Sequence, residues 1–157
     1  MARGFTLLEL LVALVVASIM LTVATLNLMP TTQSMLHDES ERLALLIENG
    51  ALASQAGGQA LAWSGAGNSY RFWKRTRGGE WVRIEQDTLL RPRMMPDAIS
   101  IGDVSFDGRR IEPGSLLMLS PELAARAFHL TLRSEHHYAT VSGDGLGKVD
   151  VTEGSLP

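Results

Sequence analysis

One carboxylate lies where its chemistry needs an explanation. Between Phe5 and Met29 the only charged side chain is Glu9, and almost all of its neighbours are apolar. A carboxylate within a lipid bilayer is costly unless a cation neutralises it. A salt bridge in such surroundings is strong, although desolvation removes much of the gain. Glu9 therefore predicts either a cation that neutralises it or an incidental acid that reaches back to the membrane interface.

The other residues that could do chemistry form no convincing centre. His136 and His137 are adjacent, so in a strand they point to opposite faces and do not easily share a metal ion. Asp144 and Asp150 nearby are not enough to complete such a site. The stretch GDGLG at 143–147 opens no long helix and lacks the Lys-Ser/Thr pair of a phosphate loop, so we interpret it as a turn.

Catalysis and cofactors are not expected. The chain has no cysteine and no G-x-S-x-G nucleophile elbow, and Asp103 and Asp107 are expected to serve turns. We predict no catalytic residue, no metal site and no cofactor. Met94 and Met95, beside prolines, are expected to pack under a loop.

Basic and aromatic side chains are mixed at 70–77. The basic residues are Arg71, Lys74, Arg75 and Arg77, and the aromatic ones are Tyr70, Phe72 and Trp73. Nucleic-acid binding has this composition, but a hairpin with a solvated basic face accounts for it more simply. With a net charge of -3 and no longer basic stripe, nucleic acid is not an expected partner.

The apolar run at 5–29 is expected to span a membrane once, since about 20 apolar residues cross ~30 Å of hydrocarbon. It is too long for a secretory signal peptide, and no A-x-A-like cleavage site follows it. Arg3 before the run and acidic residues beyond 37 favour an N-in, C-out orientation.

The stretch RGFTLLELLVALVVASIML, beginning at Arg3, resembles the N-terminal signature of type IV pilins and type II secretion pseudopilins. The resemblance implies that a prepilin peptidase cuts after Gly4, at the end of a leader at 1–4. It also implies that Phe5 becomes the N-methylated first residue and that Glu9 is the assembly glutamate. Glu9 would then pair with the α-amino group of Phe5 on a neighbouring subunit.

The rest of the chain predicts a single head with an α+β fold at 30–157. Pro30 ends or kinks the apolar helix, and a second helix to about 56 carries one apolar face, before the Gly57–Gly58 stop. The apolar positions are Leu36, Leu43, Leu46, Ile47 and Ala51, with the acidic stretch HDESER at 37–42 largely solvated or at an interface. About seven short strands then form an antiparallel sheet, with turns at GAG, TRGGEW and DGRR and an irregular stretch at 88–98.

The whole chain is similar to the H type of minor pseudopilin (the GspH/XcpU class). ESERLALLI, LLMLSPE and the closing FHLTLRSEHHYATVSGDGLGKVDV carry this resemblance, while the alanine-rich connection LSPELAARAF departs from it. It implies a non-enzymatic subunit of the inner membrane with a periplasmic head, assembled with the major pseudopilin and I/J/K-type tip subunits to help export folded proteins. A FimT-like minor pilin acting in fibre initiation or DNA uptake is the alternative, and a membrane-anchored enzyme or an uncut anchor are further rivals.

Overall fold

The computed structural model describes residues 7–27, 31–120, 127–143 and 148–156. The chain divides into two units, Met1–Thr31 and Thr32–Pro157. In the first unit, helix α1 covers Leu7–Asn27. Pro30, predicted to end or kink this helix, lies outside the described residues.

In the second unit, helix α2 covers Thr32–Gly57. Leu36, Leu43 and Ile47 are almost fully buried, as their helical spacing predicts. The helix ends at the expected glycine pair, because Gly58 has a φ of 59°, a left-handed conformation that suits glycine and closes a helix.

The described residues after α2 contain ten short strands, where about seven were predicted. They are β1 Leu61–Ala66, β2 Ser69–Arg75, β3 Trp81–Arg83, β4 Arg93–Met94, β5 Ser100–Phe106, β6 Arg109–Ile111, β7 Leu117–Leu119, β8 Phe128–Arg133, β9 His137–Gly143 and β10 Val149–Ser155. The predicted α+β fold, with a helix packed on an antiparallel β-rich head, is confirmed.

The strands form two antiparallel sheets rather than one. The first sheet has the order β3-β2-β1-β7, with β4 also paired to β2, and the second has the order β10-β9-β8-β5-β6. Several strands are only two or three residues long, so the sequence alone did not show that the strands divide between two sheets. The extra strands β4 and β6 lie at 93–94 and 109–111, in stretches that were expected to be irregular or a turn.

Helix α2 packs on β9 and β10 of the second sheet and, on its other flank, on β1 and β7 of the first sheet. We call the face of the first sheet that points away from α2 the outer face. Gly50 of α2 lies against Leu119 of β7, since a Cβ at Gly50 would stand 2.7 Å from the Leu119 side chain. Trp63, Tyr70 and Phe72 are buried on this inner side. They share one core with α2 and with Phe128, Leu130, Leu132, Ala139 and Val141 of the second sheet.

The hairpin turns are tighter than the sequence indicated. Between β1 and β2 the turn is Gly67–Asn68, one residue later than the predicted GAG centre, because Ala66 pairs with Ser69. Between β5 and β6 only Asp107 and Gly108 turn, with φ values of 50° and 73°. Two residues with positive φ suit the right-handed twist of a hairpin, so the arginines expected in this turn already belong to β6.

Backbone hydrogen bonds join the two sheets at one end. The N–H of Ile101, in β5, donates to Gly67 O at 2.7 Å. The N–H of Gly114, before β7, donates to Gly65 O at 2.9 Å. These bonds satisfy groups at the end of β1 and fix the start of β5 beside the first hairpin.

Candidate functional site

Glu9 lies in the first turn of α1, and its side chain is exposed. A negative side chain there is favoured by the positive end of the helix dipole. Gly4 and Phe5, the predicted processing residues, lie outside the described residues. Their roles and that of Glu9 in assembly therefore stay predictions.

The surface of α1 is almost wholly apolar between Leu7 and Thr22. Many large apolar side chains there are exposed, among them Leu7 at 87% and Leu8 at 75%. Its hydroxyls are satisfied inside the helix: Ser18 donates to Leu14 O at 2.8 Å and Thr22 donates to Ser18 O at 2.9 Å. Such a surface is expected to be covered by lipid or by other helices. Within the described residues, no helix combines the length and the apolar character needed to cross a membrane.

The acidic stretch of α2 divides into a buried and an exposed part. Glu39, in a stretch expected to be either solvated or at an interface with another subunit, is only 6% exposed because it is buried within the head itself. Its carboxylate is held by the Arg93 guanidinium, whose Nε donates to Oε2 at 2.9 Å. Asp38 and Glu41 are exposed. The helical spacing places Glu39 on the same face as two buried leucines, because it is three residues after Leu36 and four before Leu43.

The Glu39–Arg93 ion pair fixes α2 to the first sheet. The Glu39 carboxylate raises the pKa of Arg93, chiefly through the hydrogen bond. Arg93 is opposite Tyr70 across the β2–β4 ladder. Burial, followed by the charge of Glu39, raises the pKa of Tyr70 to about 12. The ion pair therefore positions the helix over the aromatic part of the core.

A second polar contact fixes α2 to β10. His37 Nδ1 lies 2.6 Å from Glu153 Oε1, and the hydrogen bond to Glu153 raises the pKa of His37. Tyr138 and Gly154 line a cavity of about 240 Å³ beside this contact. Besides the Glu153 carboxylate, its lining includes the polar side chains of Gln33, His137 and Ser155. The His37–Glu153 contact at its edge joins α2 to β10.

The weak metal candidates stay apart. His136 is exposed before β9, while His137 belongs to β9. Throughout the residues that the structure describes, no three His, Asp, Glu or Cys side chains are grouped to hold a metal ion. Of the GDGLG stretch, Gly143 ends β9 and residues 144–147 lie outside the description.

The two aspartates expected in turns have different roles. Asp107 does occupy the β5–β6 turn. Asp103 instead lies inside β5 and is paired with Arg110 and Arg133 on the neighbouring strands, so the prediction of a turn there is wrong. The register of β5 shifts between Ile101 and Val104, an irregularity that turn-type residues such as Gly102 and Asp103 permit.

The two methionines beside the prolines also differ. Met95 is buried in the core at 2% exposure, as expected for a residue under a loop, whereas Met94 is 73% exposed.

The basic cluster is divided between two faces of β2. Arg71, Trp73 and Arg75 alternate with the buried Tyr70 and Phe72, as predicted, and lie on the outer face. Lys74 is on the inner side, where its partner across the β1–β2 ladder is Leu61.

Two residues that the sequence analysis did not single out join the outer face. Arg83 pairs across the ladder with Trp73, and Trp81 pairs with Arg75. Residues opposite each other in a ladder share a face. The register between β2 and β3, which sequence alone does not give, creates this group of two tryptophans and three arginines.

The chain is similar to known proteins in its N-terminal sequence and in its fold. Residues 1–25 match the prokaryotic N-terminal methylation motif. No curated protein sequence matches the chain significantly.

The fold is similar to two solved structures of the minor pseudopilin EpsH from the type II secretion system of Vibrio cholerae. One has a TM-score of 0.58 at 10% identity, covering 74% of this chain and 94% of EpsH. The other has a TM-score of 0.51 at 15% identity, covering 78% and 94%. The chain thus joins a prokaryotic N-terminal methylation motif to the fold of an EpsH-like minor pseudopilin, in agreement with the H-type resemblance.

Proposed function

We propose that the chain is a non-enzymatic minor pseudopilin of a type II secretion system. The observation that carries the proposal is the combination of the N-terminal methylation motif at 1–25 with the EpsH-like fold. Neither finding alone would suffice, since the motif is common to many pilin-like chains and a fold alone does not define a function.

The N-terminal part is proposed to act first as an anchor and then as a packing element. Residues 5–29 would hold the chain in the inner membrane with its head in the periplasm. A prepilin peptidase would cut after Gly4, and Phe5 would be methylated. The exposed apolar surface of α1 would then exchange lipid for the helices of neighbouring subunits, among them the major pseudopilin and I/J/K-type tip subunits.

Glu9 is proposed to align α1 with its neighbour in the fibre. The α-amino group released at Phe5 of an adjacent subunit would neutralise its charge. Because the ion pair forms only at one relative position of two helices, it fixes register more than it adds affinity. The completed fibre would help to move folded proteins across the outer membrane.

Mass spectrometry of the N-terminus tests processing. The chain purified from cells that contain a prepilin peptidase is expected to begin with methyl-Phe5. A Gly4→Leu variant should keep Met1 or Ala2 at its start, because the peptidase site is changed. A wild-type chain that retains residues 1–4 under these conditions contradicts the proposal.

Fibre incorporation tests the role of Glu9. A Glu9→Gln variant should enter sheared fibres at about one tenth of the wild-type level or less, because the buried amine then lacks its counter-charge. Glu112→Gln, an exposed change between β6 and β7, provides the control in the same chain. Equal incorporation of Glu9→Gln and wild type, together with undiminished export, would refute the assembly role.

A further inference from the structure

Strand β3 forms an edge of the first sheet, because among the described residues it pairs only with β2. Just after β3, the N–H of Ile84 donates to Phe72 O at 2.9 Å. In an antiparallel pair such bonds join every second residue of the two strands. The backbone N–H and C=O groups of Trp81 and Arg83 therefore point away from β2. An edge of this kind can pair with a strand from another chain.

The side chains beside this edge make its outer face basic. Trp81 and Arg83 lie there opposite Arg75 and Trp73 of β2. The described strand positions on the outer face carry three arginines and no carboxylate, the third arginine being Arg71. Arg83 is 3.4 Å from Glu85, which follows the strand, but both side chains are about half exposed. An exposed ion pair of this kind is weak, so another carboxylate can replace Glu85.

The other face of the edge is apolar at one position. Val82 lies between Trp81 and Arg83, and its side chain points to the inner side, where its partner across the ladder is Lys74. It is 43% exposed, although a β-branched residue in a strand gains stability when a neighbouring side chain covers it. The edge therefore offers positive charge on one face and an apolar contact on the other.

We propose that β3 binds an extended acidic segment of a different protein chain as an additional antiparallel strand. The backbone of the segment pairs with Trp81 and Arg83, which supplies affinity in the manner of strand addition. Residues opposite each other share a face, so acidic side chains of the segment lie beside Arg83 and within reach of Arg75. An apolar side chain between them covers Val82. The edge thus selects an alternation of acidic and apolar residues.

A different chain is favoured as the source of this segment. The chain's own strand with acidic and apolar residues, β10, is already paired with β9, and its Glu153 contacts His37. The inference deepens the proposed function, on which it rests for its biological setting. A minor subunit takes its place in a mixed fibre by binding chains unlike itself, and β3 provides a surface for one such chain.

The other sheet edges are less suited to an acidic strand. Strand β4 has only two residues. In β6 the outward backbone groups belong to Arg110, because the residues that flank a two-residue turn bond to each other, and Arg110 is already paired with Asp103. Strand β7 consists of leucines and a methionine, and β10 carries Asp150 and Glu153. Among the described edges, β3 therefore combines outward backbone groups with an excess of positive charge.

A peptide strand fits this edge better than nucleic acid does. Outward N–H and C=O groups along a strand match the backbone of another strand. Nucleic-acid affinity, in contrast, comes mainly from many phosphate contacts. The chain as a whole has 17 acidic against 14 basic side chains, a balance that disfavours a polyphosphate.

Fluorescence anisotropy of a labelled peptide tests the proposal. The probe is a synthetic peptide of alternating glutamate and valine, about five residues long. The protein is the full chain in nonionic detergent micelles, which cover α1. Binding should saturate, and it should weaken at high salt. The amide protons of Trp81 and Arg83 should become protected from exchange, because they enter hydrogen bonds. Absence of saturable binding overturns the proposal.

Charge reversal tests which edge binds the peptide. Arg83→Glu should weaken binding about tenfold or more, because like charges then face each other. Arg109→Glu makes the same charge change on β6 and should bind as wild type does. Circular dichroism of both variants establishes that the head remains folded. Equal binding by Arg83→Glu and wild type, or a loss of binding in Arg109→Glu alone, overturns β3 as the site.

Methylation of the peptide backbone tests strand pairing itself. In the antiparallel arrangement the glutamates lie opposite Trp81 and Arg83 and donate their N–H groups to β3, while the N–H groups of the valines point away. N-methylation of the glutamates should therefore abolish binding, whereas N-methylation of the valines should preserve it. Undiminished binding of the glutamate-methylated peptide overturns strand addition.

Two measurements distinguish the other possible occupants of the edge. Self-association of the chain in sedimentation velocity that Arg83→Glu abolishes would identify a second copy as the occupant and overturn the proposal. A thymidine oligonucleotide that binds more tightly than the peptide, and is likewise released by Arg83→Glu, would identify nucleic acid and overturn it too.

The edge contact and the proposed function can fail separately. Glu9→Gln should bind the peptide as wild type does, because Glu9 lies in α1. If the peptide binds while N-terminal processing and fibre incorporation of wild type fail, the edge contact stands and the proposed function falls. If wild type is processed and enters fibres but does not bind the peptide, only the edge contact is overturned.

Discussion

Glu39 and Tyr70 place polar groups inside the head in two different ways. The carboxylate of Glu39 meets the Arg93 guanidinium, which is itself 30% exposed at its side chain. The Tyr70 hydroxyl, in contrast, is buried and has no hydrogen-bond partner among the described residues. Burial costs free energy in both cases, but only the ion pair offsets it. Removing the Glu39 carboxylate is therefore expected to lower the free energy of unfolding, whereas removing the Tyr70 hydroxyl is expected to raise it.

Glu39→Gln is expected to lower the free energy of unfolding by about 2 kcal/mol, because Arg93 loses its counter-charge while remaining partly buried. Glu41→Gln, on the exposed side of the same helix, should change it by less than about 0.5 kcal/mol. Urea unfolding followed by circular dichroism measures both. Equal stability of the two variants would show that the Glu39–Arg93 ion pair contributes nothing.

Tyr70→Phe is expected to raise the free energy of unfolding by about 1 kcal/mol, since it removes an unsatisfied buried hydroxyl and keeps the ring. The ring itself matters, as its centroid lies 6.0 Å from that of Phe72 in an edge-to-face contact. Tyr138→Phe, at a partly exposed site, serves as the comparison. A clear loss of stability in Tyr70→Phe would mean that the hydroxyl has a stabilising partner.

At the scale of elements, α2 is the part that joins the two sheets. Glu39 connects it to β4 of the first sheet, and His37 connects it to β10 of the second, which is the edge strand. His37 and Glu39 lie two residues apart on one helix, so a single turn of α2 serves both sheets. The contact with β10 depends on the charge of an exposed imidazole and is therefore sensitive to pH.

The His37–Glu153 pair is expected to stabilise the head mainly below neutral pH. The folded pKa of His37 is raised above its unfolded value, so the contribution is complete below about 6.5 and is lost as pH rises through the folded pKa. Asp38 and Glu41 act in the same direction. The melting temperature of His37→Gln should therefore fall below that of wild type at about pH 6 and equal it at about pH 9. His129→Gln, at an exposed site on β8, is the control for loss of an imidazole elsewhere in the head. A pH-independent deficit in His37→Gln would refute the charged pair.

The sequence predicted the helices and strands with a clear periodicity well, but it predicted poorly which strands pair with each other. The buried face of α2 and the alternation in β2 follow from helical and strand periodicity, so Leu43 or Phe72 could be placed in advance. The short strands β4 and β6 could not, because Arg93–Met94 and Arg109–Ile111 become strands only through their partners. For the same reason, the burial of Glu39 could not be predicted, because it depends on the contact with Arg93. The position of Trp81 and Arg83 beside Trp73 could not be predicted either, because it depends on the pairing of β2 with β3.

At the scale of the whole molecule, the chain separates an apolar N-terminal unit from a head with its own core. The N-terminal unit offers an apolar surface on which Glu9 is the specific feature. The head offers charged surfaces and fixed aromatic groups. In an assembly, the N-terminal unit of such a subunit can provide the attachment and the head can set the orientation. The fibre-incorporation test on Glu9 addresses the first of these tasks.

The joint between the two sheets has a mechanical consequence. Ile101 and Gly114 donate their backbone N–H groups to the end of the first hairpin, at Gly67 and Gly65. A pull exerted on β5 is thereby passed to the β1–β2 turn through the Ile101–Gly67 bond, while the Gly114–Gly65 bond ties the connection between β6 and β7 to β1. Force applied to one sheet is therefore transmitted to the other through the backbone as well as through the packed core.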